Sequence, residues 1–545
     1  MQSQARLLMT HLLLITLACG TLAHAAEFLR TRGQDMVDES GRKVLLQGVG
    51  LGNWMLPEGY MWKFGNQGDR PRKIEAIVAD LIGPQNADRF WLEFRKRYIT
   101  EADIQRIAKL GFNSVRPALN ARRFLTEGGN PVYVAEGFEL LDNLVGWCKK
   151  YNVYVIIDMH GAPGGQTGQN IDDSPRDLPE LFMDEKYQQR LLNLWIKIAD
   201  RYKDEPTVAA YDLLNEPLPQ RTGAAAKYKA QLEPLYKRLT QAIRQIDKRH
   251  MITVEGADWA NDWSVFSEPF DNNLVYQFHY YCWDRPDTLK GIEQYLTHRK
   301  RLNAPVWVGE TGEKSNNIYW ATTQYFEANN IGWSFWPWKK MNTTNTPYSI
   351  KKPAGWDEIT AYSRGQGKPS QETAQKVFDE LLENIKIENC VAFPDVVNAM
   401  FRRVPGRVEA ENYGHEGLNK SYFVKDLTSK AKSYRKSEPV PVEQNASASS
   451  QSRAGQSIRL LADEWTAYTV NSQATRDYKA TVRVKADPAP AVFTVSINGQ
   501  STDMTITGND WIEVNLNAIR LSAGANRLQL TTKTGVLWFD WLSFE

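Results

Sequence analysis

Between Val44 and Lys339, eight short runs rich in Val, Ile, Leu and aromatic residues alternate with longer amphipathic stretches. The runs are VLLQGVGLG, NSVRPAL, VYVIIDMH, VAAYDLLNE, MITVEGAD, LVYQFHYY, PVWVGE and IGWSFWPW. Among the stretches between them, TEADIQRIAKLG opens on a Thr100 cap with an acidic first turn and stops at Gly111. FELLDNLVGWCKKY repeats its apolar residues at helical spacing. Strand and helix alternating eight times predicts an α/β chain folded as a (β/α)8 barrel, with QETAQKVFDELLENI as a closing helix and CVAFPDVVNAMFRRVPG as a short helical tail.

From Arg407 the pattern changes to period-two strands such as ATVRVKA, VFTVSING, WIEVNL and NRLQLTT, separated by Gly, Asn and Ser turns. This predicts a C-terminal all-β sandwich of jelly-roll type. The domains are therefore read as a barrel over residues 26–405 and a sandwich over 406–545. The junction lacks a Gly/Ser or Pro tract, so the two should pack together, and EQNASASSQSRAGQ reads as a mobile loop within the sandwich. Before the barrel, Arg6, the apolar LLMTHLLLITLA and the small residues Ala23-His24-Ala25 read as an export signal over residues 1–25, predicting a secreted, extracellular or periplasmic protein. No later segment reaches about 18 uninterrupted apolar residues, so no membrane span is expected.

Sixty-six Lys and Arg against 64 Asp and Glu leave no long-range field for nucleic acid or an anionic membrane, and a monomer is expected. Removal of the signal leaves Cys148, Cys282 and Cys390, too few and too scattered for a zinc site and expected as free thiols. Eighteen Trp and 23 Tyr offer flat surfaces on which sugar C–H faces stack. Trp62, Trp259, Trp263 and Trp283 fall in predicted strand-to-helix loops, where each either lines a sugar subsite or packs the core.

The active face of such a barrel lies at the strand C-termini. The eight runs end in Asn53, Arg116, His160, Asn215-Glu216, Asp258, His279-Tyr281, Glu310 and Trp336. Two strand-end glutamates suit hydrolysis of a glycosidic bond with retention, in which one carboxyl group donates a proton and a second, about 5–5.5 Å away, attacks the anomeric carbon. Glu216 is assigned general acid/base and Glu310 nucleophile, with Tyr281 as a hydrogen-bond donor to Glu310 and Arg116 biasing the site toward negative charge. Glu255, Asp158, Asp212 and Glu313 compete for these roles; the two aspartates read as core ion-pair groups and Glu313 as the reserve. The chemistry needs no cofactor. The Gly-rich GAPGGQTGQNIDDSP lacks the Lys-Ser/Thr end of a phosphate loop and reads as a substrate loop.

From Phe28 to Arg403 the chain resembles glycoside hydrolase family 5, and most of all its secreted glucanases, through LLQGVGLGNWMLPEGY, GFNSVRPAL, IIDMHGAPGGQ, YDLLNEP, FHYY, WVGETG and GWSFWPWK in family order. The resemblance implies an active centre of Arg116, His160, Asn215, Glu216, His279, Tyr281, Glu310 and Trp336, with Trp336 as the floor of the cleaved sugar's site. Glu58 resembles a sugar-hydroxyl ligand of the exo-acting β-1,3-glucanases; Gly50 departs from the family's usual Asn. The segment from Arg407 to Glu545 resembles carbohydrate-binding module family 6 through RVEAENY, DEWTAYTVN, LSAGANRLQL and WFDWLSF. That resemblance implies a structural calcium at Glu409, Glu411 and Asp540, and Glu409 and Glu411, two apart, would share one face of a strand. Trp465, Tyr413, Trp511, Trp538 and Trp541 are its aromatic candidates for sugar stacking.

The expected function is hydrolysis of a β-glucan-type polysaccharide or oligosaccharide by double displacement. Two rivals stand beside it: a noncatalytic carbohydrate-binding or adhesion protein on the same scaffold, and a transglycosylase in which a sugar hydroxyl replaces water.

Overall fold

A computed structural model describes residues 27–281, 291–429, 431, 434–444 and 455–545. Eight parallel strands close into a barrel: β1 (Gln47–Leu51), β2 (Ser114–Asn120), β3 (Tyr154–Gly161), β4 (Val208–Asp212), β5 (Met251–Glu255), β6 (Leu274–His279), β7 (Val306–Gly312) and β8 (Gly332–Trp336). Each strand pairs with its sequence neighbours, and β8 returns to β1 with Ser334 opposite Gly48. Almost every strand residue is buried, as expected where side chains face barrel interior and helix layer in turn.

The helices form where the amphipathic pattern placed them. Glu101–Lys109 is started by a capping box, with Thr100 N–H donating to Asp103 Oδ2 at 2.9 Å, and it buries Ile104 and Ile107. Asp103 also accepts from Trp338 Nε1 and Lys339 Nζ, each at 2.9 Å, which ties this helix to the exit of β8 and so to the rim of the site. Ala135–Tyr151 and Gln371–Asn384 fill the other expected helical stretches. The tail differs in one respect: Val391–Ala392 pairs with Tyr348–Ile350 as a strand before the helix Pro394–Met400 begins.

The C-terminal all-β region consists of two six-stranded sheets. One is built round Trp465–Ser472, Gly524–Thr534 and Ala491–Ile497; the other round Gln456–Leu461, Val536–Phe544 and Arg476–Ala486. It packs against the barrel: Trp320 and Ala321, on the helix Asn316–Ala328, join an apolar cluster with Val404, Val408 and Tyr413. The connection is itself part of a sheet, with Arg403–Val404 running parallel to Asn471–Ser472.

Cys148 is a buried free thiol and Cys390 a half-buried one. The expected export signal, Cys282, Trp283 and most of the EQNASASSQSRAGQ segment lie outside the described residues. Among the described residues, no helix is long and apolar enough to cross a membrane.

Candidate active site

Arg116 is the hub. It stands inside β2, fully buried on the barrel axis, and not at a strand end as its place in the run suggests. Its Nε donates to Asp212 Oδ2 at 2.8 Å, Nη1 to Glu310 Oε1 at 2.7 Å, and Nη2 to Asn215 Oδ1 at 2.8 Å and Glu255 Oε1 at 3.0 Å. Asp158 Oδ1 lies 3.2 Å from the same Nη2. A guanidinium cannot give up its proton here, so one fixed cation organises carboxyl groups from β3, β4, β5 and β7. Burial pushes Asp158 and Asp212 well above the ordinary aspartate range, against the pull of Arg116.

Glu310, near the end of β7, is held at both oxygens: Oε1 by Arg116 and Oε2 by the Tyr281 hydroxyl at 2.6 Å. Glu216 follows β4 in a left-handed backbone, φ +43°. Its N–H donates to Glu255 Oε2 at 2.6 Å, and its Oε1 lies 2.7 Å from His279 Nδ1. One donor atom each of Glu216, Glu310 and His279 lies within 4.8 Å of the others. His279 is buried, which alone would strip its proton, but the carboxylates of Glu255, Glu310 and Glu216 hold it well above its usual value. His160 behaves oppositely: burial lowers it to about 4, and its Nδ1 lies 2.7 Å from Asp158 Oδ2.

Trp336 ends β8 and stacks on His160, ring centroids 5.2 Å apart at an angle of 3°. Its Nε1 donates to the Tyr60 hydroxyl at 3.0 Å. Beneath it run Gly50 and Gly52, where an added Cβ would stand 2.3 Å and 2.5 Å from the indole. A side chain at Gly50 would therefore run into this indole. Glu58 sits in the loop after β1, where Asn53 Oδ1 accepts from its N–H at 3.3 Å and from Trp62 Nε1 at 2.7 Å. Its Oε1 is buried without a hydrogen-bond partner, and burial, then the nearby charges of Glu310, Glu313 and Glu216, push its carboxyl well above the usual range. Glu58, His160, Glu216, His279, Tyr281, Glu310 and Trp336 line a cleft of about 660 Å³, together with Tyr60, Asn170, Arg221, Trp259 and Glu313.

Residues 81–342 match the cellulase model of glycosyl hydrolase family 5. The protein is a glycoside hydrolase. A β-xylosidase from Phanerodontia chrysosporium is 27% identical over 362 residues, which is 59% of this chain and 74% of its own. A probable glucan 1,3-beta-glucosidase A from Emericella nidulans is 28% identical over 300 residues, 53% of this chain and 71% of its own. Among solved structures, an endogalactoceramidase aligns over 94% of this chain and 99% of its own, with 16% identity and a TM-score of 0.48. The likeness to the xylosidase and the glucosidase supports a β-glycosidase.

All nine barrel residues expected at the site of this glycoside hydrolase meet in one place. Of the competing acids, Asp158 and Asp212 pair with Arg116, and Glu313 pairs with Lys340 at 2.5 Å on the cleft wall. The aromatic candidates divide. Trp259 lines the cleft, with the Arg221 guanidinium 5.1 Å over its ring, whereas Trp62 and Trp263 are buried among other aromatic rings. Gln277 and Glu255 carry more of the site than their sequence position announced; the signal for Glu255 was its place at the end of a barrel strand, shared with the glutamates that were chosen.

In the sandwich, Glu409, Glu411 and Asp540 are buried; burial first, and then the charge of Asp540, raises the carboxyl groups of Glu409 and Glu411, with Glu409 also raising Glu411. Strand alternation does not bring Glu409 and Glu411 together, because the strand Gly406–Glu409 stops and Ala410–Asn412 turns as a short 3-10 helix. Arg407 pairs with Glu409 and Arg483 with Asp540, while Glu411 Oε2 is buried without a partner. Tyr413 belongs to the core, and Trp511 and Trp538 share Lys485 at 5.8 and 5.2 Å on one sheet.

Proposed function

We propose that the protein hydrolyses β-glucan-type polysaccharides or oligosaccharides with retention, Glu216 acting as general acid/base and Glu310 as nucleophile. The observation that carries the reading is the approach of the two carboxyl groups to within 4.8 Å, in the regime of retaining enzymes at about 5–5.5 Å and well short of the roughly 6.5–9.5 Å that leaves room for an inverting water. Their surroundings match the two roles. Glu310 accepts from Arg116 and Tyr281, which fixes a charged carboxylate for in-line attack on the anomeric carbon. Among the described residues, Glu216 meets no such cation at its carboxyl except His279, and its other side opens to the cleft where a leaving oxygen would sit.

In the first step, the Glu310 carboxylate forms the bond to the anomeric carbon as the glycosidic oxygen departs with the proton of Glu216. In the second, Glu216 takes a proton from water, whose oxygen attacks the same carbon and releases Glu310. His160 and Glu58, which line the cleft, would bind sugar hydroxyls over the Trp336 floor, with the buried Asn215 supporting His160 at 3.3 Å. NMR of the first-formed product is expected to show the β anomer; the α anomer would refute retention.

The N-terminal segment supports export. A structural calcium held by Glu409, Glu411 and Asp540 is favoured by the unpartnered, buried Glu411 oxygen, since a hard cation would supply the charge that burial denies it.

A further inference from the structure

Glu255 ends β5, is fully buried, and has no part in bond making or breaking. Its two oxygens nevertheless reach both halves of the reaction. Oε2 accepts the backbone N–H of Glu216 at 2.6 Å. Oε1 accepts from Arg116 Nη2 at 3.0 Å, accepts from Gln277 Nε2, and faces His279 Nε2 at 3.3 Å. The other nitrogen of that imidazole lies 2.7 Å from Glu216 Oε1. Glu255 thus contacts Glu216 twice, once at the main chain and once through His279.

We infer that Glu255 is a positioning residue for general acid/base catalysis, holding the Glu216 main chain directly and its carboxyl group by way of His279. This rests on the reading of Glu216 as the acid/base. Two features of the geometry carry it. First, Glu216 has a left-handed backbone, φ +43°, which a residue with a Cβ adopts only where its surroundings enforce it, and the carboxylate of Glu255 holds the N–H of that very residue. Second, His279 is enclosed by Glu216 after β4, Glu255 on β5, Gln277 on its own strand and Glu310 on β7 at 3.6 Å, with Arg116, Asp158 and Asp212 next beyond them. Burial alone would remove the imidazolium proton, and the charge of Glu255 stands first among those that retain it. Glu216 and His279 share a short contact, so the charge kept on the imidazole bears directly on the carboxyl group beside it. The anion of Glu255 makes the His279 proton harder to lose.

The consequence is specific. Replacing the carboxylate with an amide, Glu255→Gln, makes proton loss from His279 easier, so the alkaline limb of the kcat/KM profile moves toward acid, by about one pH unit. It also mis-aims the proton donor, which matters only when the leaving group needs a proton. On a phenyl β-glycoside of the sugar that the wild-type protein turns over, kcat/KM is expected to fall roughly 100-fold; on the matching 2,4-dinitrophenyl β-glycoside, whose leaving group departs as a stable anion, it should fall less than about 5-fold. Glu255→Asp keeps the charge and is expected to leave the alkaline limb in place, with thermal melts confirming that both variants fold. Equal losses on the two glycosides, or an unmoved limb in Glu255→Gln, would overturn the inference. Glu216→Gln measured alongside separates the two readings: if it spares the dinitrophenyl substrate while Glu255→Gln does not, only the role of Glu255 fails, whereas equal losses in Glu216→Gln remove Glu216 as acid/base itself.

Discussion

Replacing Gly50 with Ala adds one methyl group at the point where the sequence departs from its family pattern. That Cβ would stand 2.3 Å from Trp336 Cε3 and 2.8 Å from Cζ3, where ordinary contact begins near 3.4 Å, so the indole must retreat by about 1.1 Å, the difference between 3.4 and 2.3. It has little freedom to do so. His160 stacks against the ring, Tyr60 holds its Nε1 at 3.0 Å, and Gly52 approaches its far edge. Overpacking of this kind costs about 1–3 kcal/mol of stability. The effect on the reaction should be larger, because a sugar platform displaced by about 1 Å mis-aims the anomeric carbon, and misplacement on that scale costs on the order of 100-fold in rate. The assay is kcat/KM for an oligosaccharide substrate beside denaturant unfolding of the same variant. The expected result is a modest loss of stability with a drop of roughly 30- to 100-fold in kcat/KM. Wild-type kcat/KM in Gly50→Ala would show that the indole yields freely and that the two glycines do not set the floor of the site.

His160 makes folding sensitive to acid. Its folded value is about 4, against roughly 6.5 in an unfolded chain, so its contribution is complete above pH 6.5 and is lost as pH falls to 4, about 3 kcal/mol over the interval. The stability gap between wild type and His160→Gln is expected to narrow by that amount between pH 7 and 4 in denaturant unfolding, and a constant gap would refute the assignment. His279, raised in the folded state, works in the opposite sense: its contribution is present below pH 6.5 and is lost as pH rises through its folded value. For the sandwich, chelation of divalent cations should lower the melting temperature of the intact protein by about 5–10 °C if calcium sits at Glu409, Glu411 and Asp540; an unchanged melt would exclude that site.

The barrel was legible because its strands are buried on both faces and announce themselves as apolar runs, each punctuated by one polar residue. The same logic located Glu216, Glu310, His279 and Trp336, which project from strand ends or just beyond them. It misplaced Arg116, which lies within β2, because a run of letters does not show where along a strand the barrel axis is crossed. It left Gly50 and Gly52 unexplained, since the space a side chain would need there is taken by Trp336, which only the closure of β8 on β1 brings into contact. It also assigned the pairing of Glu409 and Glu411 to strand alternation, when a turn that the local pattern does not reveal places them.

The buried charges of the site explain why a glutamate that belongs to no reacting pair was so hard to read. Asp158, Asp212 and Glu58 are driven toward their neutral forms by burial, against the pull of Arg116 on the two aspartates. Glu255 moves the other way: burial opposes its charge, but His279, Arg116 and the Glu216 N–H outweigh it and hold its carboxyl below the usual range. Two cations, Arg116 and His279, thus stand among the acids; Glu255 lies 3.0 Å from the one and 3.3 Å from the other, and Glu310 lies at 2.7 Å and 3.6 Å. The charge balance of the site is therefore set a layer beneath the cleft, by which buried carboxyl groups surrender their charge. A substitution that alters this inventory should change the pH dependence of turnover even where it touches no sugar, which is why Glu255→Gln tests the site more sharply than another variant at its surface.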